Sequence, residues 1–283
     1  MGERHPDVAA SYYNMATTHS AMGNHKEALR LHALSLDIRL ETMGERHPDV
    51  AASYYNMATT HSAMGNHKEA LRLYTLSLDI RLETLGQRHP NVAAYYNNLA
   101  NPHRELGNHK EALRLYTLSF NIRLETLGER HPDVAASYNN MANTHHEMGN
   151  YKEALSLHTL SLDIKLETLG QRHPDVAASY NNMANTHNDM GNHKEALRLY
   201  KLSLDIRLET LGERHPDVAA SYNNMGSTHN DMGNHKEALR LYTLSLDIRL
   251  ETLGERHPDV AASYNNMGST HNDMGNHKEA LRL

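Results

Sequence analysis

Between His47 and Arg88 the chain carries two different apolar patterns, and nearly every other stretch copies them. In the first, Tyr54, Met57, Ala58 and His61 stand at i, i+3, i+4 and i+7, the stripe of a helix with a covered face. Tyr55, Thr59, Ser62 and Ala63 form a second stripe beside it. The other pattern is apolar nearly all round: Ala70, Leu71, Leu73, Tyr74, Leu76, Leu78, Ile80, Leu82 and Leu85. Such a helix must be covered from several directions, so it is expected between its own partner helix and the next unit. Pro48 suits a first helical turn, where no donor is needed, and Asp49 places a carboxylate at the positive end. Gly65 and Gly86 suit the left-handed residue that follows a helix. The pattern predicts helix A over 48–64, a turn at Asn66, and helix B over 67–85. Glu69 and Arg72, three apart, are expected to pair on its outer side.

The punctuation is periodic. Pro6, Pro48, Pro90, Pro132, Pro174, Pro216 and Pro258 recur every 42 residues, and glycines from Gly2 to Gly275 every 21. A period of this size means stacked supersecondary units, each contacting only its neighbours. The expectation is one all-α solenoid over 1–283, with units 5–46, 47–88, 89–130, 131–172, 173–214 and 215–256. A partial unit covers 1–4 and a truncated one 257–283. Met1 aligns with Met43 and Leu283 with Leu241, without atypical capping units, so a piece of a larger protein is expected.

The sixth unit reads Tyr222-x2-Met225-Gly226-x2-His229, then Ala238-x3-Tyr242, which is similar to the tetratricopeptide pattern of aromatic and small residues. The closing proline of that pattern is replaced by Leu250, and the unit is longer. HPDVA before helix A, NNMA or NNLA within it, and LDIRLETLG closing helix B resemble the tetratricopeptide repeats of kinesin light chain. The resemblance covers essentially the whole chain, and no heptad seam of a coiled coil lies outside the repeats. It implies a right-handed superhelical solenoid of antiparallel helix pairs whose first helices line a concave groove. It also implies a protein-interaction scaffold that holds an extended peptide.

Candidate chemistry narrows that picture. Asn14, Asn56, Asn98, Asn140, Asn182, Asn224 and Asn266 share one position in all seven units. Asn97, Asn139, Asn181, Asn223 and Asn265 adjoin them from the third unit onward, and Asn143 and Asn185 extend the surface by a turn. By the resemblance, the ladder asparagine contacts a peptide backbone; a carboxamide both donates and accepts, as an extended chain does. The other reading is that the amide bridges adjacent helices and fixes the stack. Both remain open at this level. Further along, Ala21 and Ala63 give way to Glu105, Glu147, Asp189, Asp231 and Asp273, so a basic segment is expected toward the C-terminal repeats.

The net charge of −6 argues against phosphate-held nucleic acid, and the absence of cysteine removes disulfides and thiolate chemistry. No apolar run reaches membrane-spanning length and no apolar signal core opens the chain, so a cytoplasmic protein without a membrane partner is expected. The 23 histidines fall at fixed slots; Tyr151 replaces the one at His25, while His32 and His158 replace the tyrosine at Tyr74. An imidazole that exchanges with a phenol is a packing group, so no metal or other cofactor is expected. Buried copies such as His61, His187 and His229 should make stability fall in acid. No phosphate loop or nucleophile with its base appears, so no enzyme is expected. The alternative to a peptide scaffold is a repeat sensor or structural array of a larger signalling protein, such as a nucleotide-binding switch.

Overall fold

The computed structural model describes residues 4–282, and among these it contains fourteen helices and no strand. The first helices of the pairs are α1 (Pro6–Ala21), α3 (Pro48–Ala63), α5 (Pro90–Glu105), α7 (Pro132–Glu147), α9 (Pro174–Asp189), α11 (Pro216–Asp231) and α13 (Pro258–Asp273). The second helices are α2 (His25–Met43), α4 (His67–Leu85), α6 (His109–Leu127), α8 (Tyr151–Leu169), α10 (His193–Leu211), α12 (His235–Leu253) and α14 (His277–Ala280). Contacts gather into two units, Met1–Thr144 and His145–Leu283. In the first, α1 packs on α2, α3 on α4 and α5 on α6, with α2 on α3 and α4 on α5 joining the pairs. In the second, α9 packs on α10 and α11 on α12, joined by α8 on α9, α10 on α11 and α12 on α13.

Each helix boundary has a local cause. The His-Pro histidine is an extended N-cap whose Nδ1 accepts the backbone N–H two residues on, as His47 does from Asp49 at 3.1 Å. That satisfies one of the donors a helix start leaves unpaired. At the other end of α3, Gly65 takes φ 75° and donates to the Ser62 carbonyl at 3.0 Å, while Asn66 donates to that of His61 at 2.9 Å. These two bonds are a Schellman closure, and the positive φ is open to glycine at little cost. Helix A therefore stops one residue before the expected Met64, which is the cap.

The core draws on both helices of a pair, with alanine and valine prominent on the first and leucine and tyrosine on the second. Ala58, Ala70, Leu73, Tyr74 and Val92 are buried in one cluster of the first unit; Ala184, Ala196, Leu199 and Tyr200 form a counterpart in the second. A hydroxyl pins the pair: Ser77 Oγ donates to the Ala51 carbonyl at 2.6 Å, and Ser203 does the same to Ala177 at 2.8 Å. Pro102 stands where the other repeats bury Thr60, Thr144, Thr186 and Thr228, and it is buried itself. A loosened helix is expected at such a residue, yet α5 runs unbroken from Pro90 to Glu105. The proline lies one turn from the helix end, and its carbonyl still accepts from Leu106 at 3.1 Å.

Candidate functional site

Within each unit the asparagine ladder joins a first helix to the next. Asn140 Nδ2 donates to Asn97 Oδ1 at 2.9 Å in the first unit. In the second unit Asn224 donates to Asn181 at 3.3 Å and Asn266 to Asn223 at 3.0 Å. Where the acceptor position holds tyrosine, Asn56 donates to the Tyr13 hydroxyl at 2.7 Å and Asn98 to that of Tyr55. Asn139, Asn143 and Asn182 are half-buried on the same helices, and Asn14 is exposed. The structure thus places the ladder in inter-repeat bridges, and each of these bridges uses one N–H and one acceptor.

Seven residues further along, a second set of bridges forms in the later unit. His146 Nε2 lies 3.1 Å from the Asp189 carboxylate, and its Nδ1 lies 3.1 Å from Thr186 Oγ1. Asn188 donates to Asp231 at 3.5 Å and Asn230 to Asp273 at 3.1 Å, while His193 and His235 bond the carbonyls of those asparagines. The acidic residues expected to face a basic partner are therefore exposed but tied to the preceding repeat; Glu147 is also exposed.

Second helices supply what the sequence did not single out. Arg39 Nη1 donates to the Asp49 carbonyl at 2.8 Å and to Ser53 Oγ at 2.9 Å, clamping α2 to the start of α3. Arg123 with Ser137, Lys165 with Ser179, Arg207 with Ser221 and Arg249 with Ser263 repeat the clamp. Arg81 meets Tyr95 instead, at 2.8 Å. The signal was present as a cation in each IRLE or IKLE segment and a serine 14 residues on in all but one of them, but only a fold brings them together. Burial lowers the Arg123, Lys165 and Arg207 pKa values, and the nearby Asp133, Asp175 and Asp217 partly oppose it.

Aromatic positions set the remaining electrostatics. Tyr200 donates to Asn185 Oδ1 at 2.6 Å, so Asn185 is an acceptor between the two helices of a pair. Burial raises the Tyr200 phenol, and Asp189 and Asp231 add to it. Tyr74 is pushed up to about 12 by burial, and Tyr55 is raised by burial against the opposing bond from Asn98. Burial brings His32 and His158 down to about 4, helped by Arg39 and by His146 with Lys165, respectively. His103 is also lowered by burial. His32 and His158 lie in the second-helix slot shared with tyrosine, and His103 lies in the first-helix slot that His61, His187 and His229 also occupy. His61, His187 and His229, where the effect was expected, are half-buried with an enclosed Nδ1.

Among the described residues no three His, Asp or Glu side chains stand close enough to hold a metal ion, and no helix is long and apolar enough to cross a membrane.

The tetratricopeptide repeat model matches residues 7–83, 49–125, 91–167, 175–251 and 217–283. No curated protein matches the chain. Among solved structures, a Podosopora anserina putative kinesin light chain with nearly identical repeats aligns at TM-score 0.62 and 28% identity, over 73% of this chain and 98% of that one. BtubC (BKLC) from P. vanneervenii aligns at 0.64 and 20%, over 90% of this chain and 93% of that one. A Pyrococcus horikoshii signal transduction ATPase with a tetratricopeptide repeat sensor shares the fold at 0.71 and 15%, over 97% of this chain and 40% of that one. Fourteen helices in paired units, the matched repeats and these likenesses agree, and the chain belongs to the tetratricopeptide repeat family, in its kinesin light chain-like form.

Proposed function

We propose that the chain is a protein-interaction scaffold that holds an extended peptide along the face formed by its first helices. The supporting observation is the Asn–Asn bridge. Each uses one N–H of one carboxamide and the carbonyl of the other, whereas two carboxamides bring four N–H donors and two carbonyls. The remaining capacity matches the donor and acceptor that every residue of an extended chain presents. Fixing the stack and reading a backbone are then roles of the same side chains. Asp189, Asp231 and Asp273 on the later first helices favour a basic segment there. A sensor array within a larger signalling protein is the second reading, favoured by the likeness in fold to the Pyrococcus repeat sensor.

The test starts from peptides selected out of a random-sequence display library and titrated by calorimetry. Replacing Asn182, Asn224 and Asn266 together by Ala is expected to weaken them by about 1–3 kcal/mol through unpaired backbone groups, with helical content retained. Unchanged binding alongside a lowered melting temperature would make the ladder structural only.

A further inference from the structure

A first-helix methionine is followed seven residues later by another just past the helix end in the pairs Met57 and Met64, Met141 and Met148, Met183 and Met190, and Met225 and Met232. Met57 and Met141 pack against a buried cluster of the first unit, and Met183 and Met225 against clusters of the second. The residue just past the helix faces outward: Met64 is 37% exposed, Met148 and Met232 36%. Met64 forms one wall of a cavity of about 530 Å³ whose other walls include His19, Gly23, Lys26 and Glu27 of the preceding repeat. Met190, Met232 and Met274 wall the same cavity in later repeats, at about 690, 490 and 490 Å³. In the third repeat the slot holds Leu106, also 37% exposed, so the fold needs only an apolar side chain there.

We propose that these cap methionines are sites of reversible oxidation by peroxides, whereas Met57, Met141, Met183 and Met225, packed against the clusters, are protected. A lone pair of the thioether sulfur attacks one peroxide oxygen. The S–O bond forms as the O–O bond breaks, and the second oxygen leaves as water after taking up the proton of the first. Sulfur gives up two electrons, the peroxide accepts them, and the product is the sulfoxide. The helix end survives this step because its closure is made by backbone bonds, such as Gly149 to His146 at 2.8 Å and Asn150 to His145 at 2.9 Å. The cavity wall changes from apolar to polar, placing a strong acceptor beside a lysine at the start of the second helix. An inward sulfoxide would instead bring an oxygen into a packed cluster.

The fourth repeat supplies its own control. Cleavage after Arg130 and Lys152 releases a peptide unique in the chain that holds both Met141 and Met148, whereas 5–26 and 47–68 are identical to each other. The intact chain is treated with dilute hydrogen peroxide and this peptide is followed by fragmentation mass spectrometry. Met148 is expected to gain oxygen at least about fivefold faster than Met141, with an unchanged thermal melt and reversal by methionine sulfoxide reductases. Met148→Leu should abolish the fast product and leave the melt in place. Equal rates at the two methionines, or helix loss in step with oxygen at Met148, would overturn the assignment.

Discussion

His32 and His158 show how much one residue can decide. Each is 1% exposed and fills a slot that Tyr74, Tyr116, Tyr200 and Tyr242 fill elsewhere. Burial holds both at about 4, below the ordinary 6.5. The unfolded chain therefore takes up a proton below pH 6.5 that the folded chain refuses until about pH 4. Stability is complete above the unfolded value and falls through that window as the solution is acidified. Between pH 7.5 and pH 5 the loss is expected to be about 2 kcal/mol per histidine. Denaturant midpoints at the two pH values check this. His32→Tyr and His158→Tyr should each flatten the dependence, and a wild-type midpoint that does not move with pH would contradict it.

At the scale of the element, α5 carries the largest local conflict. Pro102 cannot donate to the Asn98 carbonyl, whereas Thr60 holds the equivalent Asn56 carbonyl with its hydroxyl at 2.9 Å. Pro102→Thr restores both the N–H and that hydroxyl, so a gain of up to about 3 kcal/mol is expected, read as a rise in melting temperature. Partner binding should stay the same if the proline is only tolerated. Loss of a bound peptide on this substitution would instead assign the proline a part in recognition.

Helix limits were legible in the sequence because their causes are local. Pro48, Gly65 and Gly86 act within one turn of themselves, and α4 begins and ends as read. The clamp from Arg39 to Ser53 and the bridge from Asn224 to Asn181 were not legible. Their partners lie 14 and 43 residues away, and periodicity gives every position such a partner without saying which ones touch. The asparagine ladder was visible as a column, but its bridging geometry needed the packed helices. The acidic column was visible too, although its ties to His146, Asn188 and Asn230 were not.

From the fifth repeat onward, the junctions are made by the same bonds at the same spacing: Arg207 with Ser221 and Arg249 with Ser263, Asn224 with Asn181 and Asn266 with Asn223, Asn188 with Asp231 and Asn230 with Asp273. Deleting 215–256 would bring Arg207 to Ser263, Asn181 to Asn266 and Asn188 to Asp273, the same residue types that now meet at those positions. The shortened chain is expected to fold with unchanged ellipticity per residue and lower total stability, since stability in such arrays is a sum over repeats and interfaces. A marked fall in ellipticity per residue would show that the junctions are not interchangeable.

That sameness has a mechanical counterpart. Under tension, a set of nearly equivalent joints has no single weak point, so yielding should come as a ladder of steps of similar force. Each step would release one 42-residue unit, a contour length of roughly 140–150 Å when fully extended. The third repeat, with Pro102 and Arg81 against Tyr95 in place of serine, is the place where an optical trap should record the odd rung.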